Sequence, residues 1–596
     1  MSYCSPVADI LFSLDAVAGL PEAIGSGLYG ELDWDTVSSV VTAAGRFATD
    51  EIAPLNRVGD VAGARYENGV VTMPAGFSGV YRRWAEAGWG GVSAPPEYGG
   101  MGLPHLVNTA CTEMWNGASM AFALCPLLTE AAVGALKSFG SPDLLEAYLA
   151  PMVSGRWTGT MNLTEPQAGS DLNAVKTRAE RAGDGTYRLF GQKIFITYGE
   201  HDMAENIVHL VLARLQGAPP GTRGLSLFLA PKYLIRPDGS PGERNDLRCA
   251  SIEHKLGIHA SPTCVMIYGE SDGAKAWLVG EENRGLSAMF VMMNAARLAV
   301  GTQGVAIGER AYQQALAFAR ERRQGRGPNG AGEMSPIIEH ADVQRMLMTM
   351  NASVQAARGI CHLTAASLDL ANHGRTAEQR EAGANRAALL TPIAKAFSTD
   401  VGDEAASLGV QVHGGMGFIE ETGAAQHLRD SRIAAIYEGT NGVQAIDLAQ
   451  RKLPLAGGQV ARNEIAGIRQ IADEVAERGG REFGATAVRI SSAAGALEEA
   501  TGAMLRWLPS DPVPAFAGAS QYLRLFGLAL GGACLARAGL AAQALASGGD
   551  RSQLARIGLA RFFAEKLATA APGLAQAIAS GAGPLESHEA LLADSA

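Results

Sequence analysis

Residues 161–171 run Met-Asn-Leu-Thr-Glu-Pro-Gln-Ala-Gly-Ser-Asp, and the texture of the chain changes around them. Upstream, from 30 to about 155, apolar residues recur mostly at helical spacing. Asp35, ahead of Val-Ser-Ser-Val-Val-Thr-Ala-Ala-Gly-Arg-Phe-Ala, predicts a helix start. A further helix is predicted from Asn108 to Phe139, kinked or split by Pro126, after a turn-rich loop at 95–102. Downstream, from about 156 to 285, short β-rich runs take over: 187–190, 193–197, 207–214, 225–230, 263–268 and 276–279. Gly, Pro, Asp and Asn separate them at the spacing of an antiparallel sheet or barrel. Long helical patterns do not alternate with these runs, which disfavours a doubly wound parallel sheet.

The helical period returns at 294–322, 341–370 and 382–408, long enough for a bundle. Residues 456–596 form a further Ala-rich helical region, with breaks at 479–480, 509–514 and 547–550. The expected fold is therefore mainly α with a central, antiparallel β domain. Its parts are an N-terminal extension (1–34), a helical domain (35–155), the β domain (156–285), a helical bundle (286–455) and an extra helical domain (456–596).

Composition narrows the function classes. The chain has 596 residues, 47% hydrophobic and 18% charged, enough for large buried cores. Its 49 Lys+Arg against 60 Asp+Glu leave a net charge of −11, which argues against nucleic acid or an anionic membrane as the main partner. The final helical region carries 12 basic and 13 acidic residues, so it too lacks a basic footprint. Seven scattered cysteines, without Cys-x-x-Cys or finger-like spacing, predict buried free thiols and no structural zinc or other metal. The N-terminus lacks the pattern of a signal peptide, and the apolar windows 118–136 and 522–545 are interrupted by Pro126 and Glu130, and by Arg524 and Arg537. The expectation is a cytoplasmic protein with no membrane span.

One Gly-x-Gly-x-x-Gly occurs, at Gly25, Gly27 and Gly30. With no strand predicted before it, it is expected to be fortuitous. In the opening segment Thr164 and Ser170 offer hydroxyls, and Gly169 permits close backbone approach to a flat ring or phosphate. Alone, such a run is equally an ordinary turn. Gly191-Gln-Lys-Ile-Phe-Ile-Thr197 follows, where Phe195 and Thr197 share one strand face and could stack on and hydrogen-bond a flavin; Phe195 is equally credible as core. The second rich segment is Gln411-Val-His-Gly-Gly-Met-Gly-Phe418, followed by Ile436-Tyr-Glu-Gly-Thr-Asn-Gly442. His413 beside Gly-Gly is expected to be structural. Glu438, between an aromatic residue and Gly-Thr-Asn-Gly, could be held against apolar surroundings as a general base, or be a solvated loop residue.

Taken together and in order, Thr-Glu-Pro-x-Ala-Gly-Ser-Asp, Lys-Ile-Phe-Ile-Thr, Gln-x-x-Gly-Gly-x-Gly-Phe and Ile-Tyr-Glu-Gly-Thr-Asn resemble the acyl-CoA dehydrogenase flavoproteins over about residues 35–455. The extra C-terminal region, Asn-Arg-Val-Gly-Asp at 56–60 and the 252–263 segment are similar to a longer subgroup that includes 3-methylmercaptopropionyl-CoA dehydrogenases. The resemblance implies a helical domain, a β domain and a four-helix domain, with FAD between the β domain and the C-terminal helices. It implies oxidation of an acyl-CoA to the trans-2-enoyl-CoA, with Glu438 removing the α-proton and the β-hydride passing to flavin N5. Met161, Leu163, Thr164, Gly169 and Ser170 match the flavin-contacting stretch, Phe195 and Thr197 the pair on the other side of the ring, and Thr440 a further FAD contact. Arg322 matches an arginine that reaches FAD diphosphate across a subunit interface, and Gln411, Gly414 and Gly415 the loop holding a partner subunit's adenosine, implying a homodimer or larger. Ser170, Asn294, Arg297 and Tyr437 fall on the substrate side, and an electron-transfer flavoprotein is the implied electron acceptor.

Three departures stand out from the family pattern. Phe195 replaces a frequent Trp, Asn294 a common Asp, and Arg-Gln-Gly-Arg follows Arg322 in place of a Phe-Gly ending. A straight-chain acyl-CoA dehydrogenase, an acyl-CoA oxidase and a DNA-associated relative are the competing expectations.

Overall fold

The computed structural model describes residues 3–327, 334–546, 551–585 and 588. They form two compact units. One comprises Ala43–Ala299 with the short segment ahead of Pro6; the other comprises Pro6–Thr42 and the chain from Val300 onward.

In the first unit the longest helix, α1 (His105–Phe139), is buried along nearly its whole length. Pro126 lies inside it, but the backbone leaves helical geometry at Ser119 (φ −159°, ψ 104°). The break lies seven residues ahead of Pro126, upstream of the Phe122 carbonyl that the proline ring faces, so the proline does not split the helix where the sequence suggested. Ser119 then restarts the helix as a cap, its Oγ accepting from the Phe122 N–H at 3.4 Å. The helix Trp34–Phe47 starts in the Pro6–Thr42 segment of the second unit and is capped by Asp33, whose carboxylate accepts from the Thr36 N–H at 2.7 Å, in place of the expected Asp35.

The sheet has eight strands: β1 (Trp157–Asn162), β2 (Arg178–Arg181), β3 (Tyr187–Thr197), β4 (Asn206–Leu215), β5 (Leu225–Pro231), β6 (Leu247–Ile252), β7 (Thr263–Tyr268) and β8 (Ala274–Val279). Its order is β6-β7-β3-β8-β5-β4-β1, with β2 beside β3 and β4. It is not wholly antiparallel as expected, because β1 and β2 both pair with β4 in parallel. Parallel pairing needs a long connection, and the 163–205 excursion supplies it between β1 and β4. β1 lies on the edge, where the Gly159 N–H is satisfied by the Thr129 hydroxyl of α1 at 3.0 Å.

Thr158, Thr160 and Asn162 alternate along β1 and are all buried. Thr158 Oγ1 pairs with His201 Nε2 at 2.9 Å, Thr160 Oγ1 with His209 Nδ1 at 2.7 Å, and Asn162 Oδ1 accepts from the Tyr268 hydroxyl at 2.9 Å. Burial, with the nearby Lys232 ammonium, lowers both histidines to about 3 and keeps them neutral.

The second unit contains α2 (Gly285–Glu321) from Val300 onward, α3 (Ala341–His373), α4 (Ala377–His413), α5 (Asn441–Asp447) and α6 (Ala519–Leu545) among its helices. Gly25 closes a short helix, Leu20–Gly25, so no strand precedes the glycine run and the dinucleotide reading fails. α2 and α4 meet backbone to backbone at Gly304, where a Cβ would lie 2.2 Å from the Ser398 carbonyl oxygen. That approach fixes the α4 stretch from Ala394 to Gly402. A buried ion pair, Arg358–Glu309 at 3.0 Å, ties α3 to α2.

By length and composition α1, α2 and α6 are apolar enough to cross a membrane, which the interrupted windows did not predict. Most of each apolar window is buried within the protein, as expected of core helices.

Candidate active site

In the first unit the segment after β1 is stitched to β3. The Ile194 N–H donates to the Thr164 carbonyl at 2.9 Å, and the Lys193 ammonium donates to the Leu163 carbonyl at 2.9 Å. Lys193 also pairs with Glu165 at 2.9 Å, with both side chains buried. Glu165 further accepts from the Lys176 and Thr177 N–H groups, at 2.7 and 3.0 Å, and from the Thr177 hydroxyl at 2.5 Å. Burial opposes its ionisation, but the Lys193 charge and these donors outweigh it and hold the carboxyl at about 2. Burial likewise brings the Lys193 ammonium down to about 8, against the pull of Glu165. Leu163 and Thr164 are thereby tied to β3 next to Phe195, Met161 lies half-buried in β1, and Gly169 and Ser170 lie in the exposed part of the loop.

Phe195 is 58% exposed and has φ +59°, the left-handed region that a bulky side chain avoids. A bulge explains its direction. Cys264 pairs with Ile196 and Met266 with Lys193, so two residues of β3 oppose the single Val265 of β7. Leu189, Lys193, Ile196 and Tyr198 are buried. Strict alternation from Leu189 would bury Phe195; the extra residue turns it out, on the side of Thr197. The shared face expected from the sequence is present, and Phe195 is not core.

Tyr198 is also left-handed (φ +53°) and fully buried. Its hydroxyl donates to the Ala121 carbonyl of α1 at 2.6 Å, and its N–H to the Pro262 carbonyl at 2.8 Å. Tyr198→Phe removes only the first bond and is expected to cost about 1 kcal/mol, measured as a lowered urea midpoint.

In the second unit Glu438 lies between Tyr437 and Gly439 with φ +54°, and Gly439 follows at φ +83°. Thr440 caps α5, its Oγ1 accepting from the Val443 N–H at 3.1 Å. Asn441 docks the loop on α4: Oδ1 accepts from Lys395 at 2.8 Å, and Nδ2 donates to Asp400 at 2.7 Å. The Tyr437 hydroxyl donates to Gln303 Oε1, and burial raises its pKa well above the ordinary range. His413 is structural as expected: its ring stacks on Phe318 at 4.4 Å and its Nδ1 bonds the Gly409 carbonyl at 2.7 Å.

Family models match four consecutive parts of the chain: the acyl-CoA dehydrogenase N-terminal domain at 35–156, middle domain at 160–270 and C-terminal domain at 283–453, then an acetyl-CoA dehydrogenase C-terminal-like domain at 465–587. The chain belongs to the acyl-CoA dehydrogenase family. This acyl-CoA dehydrogenase is 48% identical to the 3-methylmercaptopropionyl-CoA dehydrogenase of Ruegeria pomeroyi over 95% of its own length and 96% of the relative's. It is 34% identical to the broad-specificity linear acyl-CoA dehydrogenase FadE5 of Mycobacterium tuberculosis, over 80% and 79% of the two chains. In fold it is similar to Caenorhabditis elegans ACDH-11, solved with C11-CoA, at a TM-score of 0.76 and 20% identity over 95% and 92% of the chains. It is thus an oxidoreductase of the acyl-CoA dehydrogenase type, and FAD is the cofactor of that family.

Taken unit by unit, these residues leave room for a flat ring or a phosphate. Phe195 offers an exposed flat ring, Thr197 is partly accessible on the same side, and a Cβ added at Gly169, Gly414 or Gly415 would meet nothing within 4 Å. Gln411, Gly414 and Gly415 occupy the exposed end of α4 and the turn after it, and Arg322 is exposed just past α2. Asn294 is exposed, while Arg297 is buried and donates to Asn294 Oδ1 at 3.3 Å. Sequence reasoning missed Glu165, Lys193, Tyr198, Gln303 and Gln444. A charged Lys193 inside an apolar strand, beside the Glu-Pro of the opening segment, was the available signal for the first two.

Proposed function

We propose that this acyl-CoA dehydrogenase oxidises 3-methylmercaptopropionyl-CoA to its trans-2-enoyl-CoA, with Glu438 as the base that takes the α-proton. The near full-length 48% identity to a dehydrogenase of that name supports the substrate. The left-handed, anchored Glu438 loop supports the base, since strained backbone gathers at functional sites. Met161, Leu163, Thr164, Gly169, Ser170, Phe195, Thr197 and Thr440 would hold FAD, with Arg322, Gln411, Gly414 and Gly415 contributing in a homo-oligomer. Bound FAD supplies the acceptor for the β-hydride.

The protein's own task is the α-proton, which a carboxylate in water cannot remove from a thioester at a useful rate. The proton becomes accessible when the thioester carbonyl accepts hydrogen bonds that strengthen as charge develops on its oxygen. The Glu438 N–H is one such donor in this reading, so a single residue carries both the base and part of the oxyanion site. Excluding water from around the Glu438 carboxylate raises its basicity. Ser170, Asn294, Arg297 and Tyr437 would contact the CoA ester. An electron-transfer flavoprotein is the proposed electron acceptor; a relative named as the CarC subunit of a caffeyl-CoA reductase–Etf complex, 28% identical over 61% of this chain, supports that class. A cytoplasmic location belongs to the same reading.

Straight-chain substrates are the second reading, favoured by the 34% identity to a linear acyl-CoA dehydrogenase. An apolar pocket separates such near-isosteres by only ~1–3 kcal/mol, so direct comparison is required. Anaerobic titration of the flavin-loaded protein with 3-methylmercaptopropionyl-CoA and butyryl-CoA is expected to bleach the flavin faster with the thioether. Faster bleaching by butyryl-CoA would transfer the assignment to the straight chain, and no bleaching by either would overturn both.

A further inference from the structure

We infer that Gln444, together with Tyr437 and Gln303, forms a positioning frame that holds the Glu438 peptide in its left-handed geometry and so aims both the carboxylate and the N–H of that residue. The inference rests on Glu438 being the base. The four residues all lie in the second unit.

The frame is needed because two successive left-handed residues, φ +54° at Glu438 and +83° at Gly439, are not a conformation that a residue with a Cβ adopts on its own. A rotation about either flanking peptide would relieve Glu438 and swing its N–H and carboxylate away together. Two side chains oppose that rotation, one on each side.

On the C-terminal side, Gln444 projects from α5 and is fully buried. Its Nε2 donates to the Glu438 carbonyl at 3.2 Å and lies 3.5 Å from the Gly439 carbonyl. Its other amide atom, Oε1, is buried without a hydrogen-bond partner. Leaving a buried acceptor unpaired is unfavourable. Turning the amide over would instead set Oε1 against two carbonyl oxygens, so the loop carbonyls dictate which way Gln444 faces. Each of its two N–H contacts restrains one carbonyl of the left-handed pair.

On the N-terminal side, the Tyr437 hydroxyl donates to Gln303 on α2, pinning the residue whose carbonyl forms the Glu438 peptide. Gln303 precedes Gly304, where α2 and α4 touch backbone to backbone. The same α4 stretch receives Asn441 through Lys395, Thr399 and Asp400. Both ends of the loop therefore stand on one rigid helix pair. Gln444 makes its bonds to the carbonyl oxygens of the base's loop, so it acts through Glu438 as a positioning residue.

The test uses flavin-loaded Gln444→Met and Tyr437→Phe proteins, mixed anaerobically with the thioester that bleaches the wild type fastest. The single-turnover rate is followed across pH, with thioester Kd and FAD content measured in parallel. Small misplacement of a reacting group costs on the order of 100-fold, so each variant is expected to reduce its flavin about 10- to 100-fold more slowly. The thioester Kd should stay within about twofold, since Gln444 faces the loop carbonyls and Tyr437→Phe keeps the ring and removes only the hydroxyl that is spent on Gln303. The pH dependence of the rate should change, because the carboxylate no longer has one fixed setting. The double variant should lose less than the product of the two single losses, since both act on one loop. A wild-type rate and pH profile in both single variants overturns the inference, as does a slower rate matched by equal loss of FAD or thioester binding. If Gln444→Met fails to fold, Tyr437→Phe, which removes one hydroxyl, decides alone. Glu438→Gln is run alongside: bleaching that survives there overturns the base assignment itself, whereas a silent Glu438→Gln with wild-type frame variants overturns only the frame.

Discussion

Glu438→Gln protein is expected to remain yellow, to bind its thioester, and to reduce its flavin about 10²- to 10⁴-fold more slowly than wild type in an anaerobic stopped-flow experiment. The magnitude is that of losing a positioned general base. Gln is close to isosteric with Glu, so it keeps the Glu438 N–H and the left-handed backbone at φ +54°. The Asn441 contacts with α4 and the Gln444 contacts with the loop carbonyls involve neighbouring side chains or backbone and are also preserved. Binding and chemistry are thereby separated: the thioester Kd should hold while the bleaching rate collapses. Retention of more than a tenth of the wild-type rate would show that another group takes the proton.

The second large effect concerns stability. Glu165→Gln leaves the buried Lys193 ammonium without its charge partner, and removing one member of such a pair costs about 3–5 kcal/mol. Urea unfolding at pH 7 should therefore show a strongly lowered midpoint. Adding Lys193→Met to Glu165→Gln should recover part of that loss, because no uncompensated charge remains and the amide oxygen can still accept from the Thr177 N–H. The pH dependence has a defined sign. The folded carboxyl at about 2 lies below its ordinary 4.5, so its contribution is complete above pH 4.5 and is lost as the pH falls towards 2. The gap between wild type and Glu165→Gln should narrow across that window. A gap that stays constant from pH 7 to pH 3 would refute the assignment of this stability to the ionised pair.

Much of this was legible in local pattern. The 263–268 run is the strand Thr263–Tyr268, and the helical regions at 341–370 and 382–408 lie within Ala341–His373 and Ala377–His413. What escaped depended on partners distant in sequence. β1 was missed because Trp-Thr-Gly-Thr-Met-Asn buries polar residues, which makes sense only once His201, His209 and Tyr268 are beside them. The runs 187–190 and 193–197 proved to be one strand, since Gly191 (φ +147°) marks a close approach to Thr177 and not a turn. The parallel pairing of β1 and β4 has no local signature at all. Motif order singled out Glu438 as the proposed base, yet Gln303 comes from another helix more than 130 residues earlier, and no spacing rule reaches it.

The parallel edge position of β1 has a consequence during synthesis. Thr158 pairs with Ile207, a separation of 207 − 158 = 49 residues, so the strand is made before the strand it pairs with in the sheet. At ~5–20 residues per second it waits several seconds with one edge open. The helix that covers its other edge through Thr129 has already been made by then. A nascent chain halted in this interval would thus present the strand bearing Met161 as a half-guarded ribbon, open to chaperone capture on the side that β4 later closes.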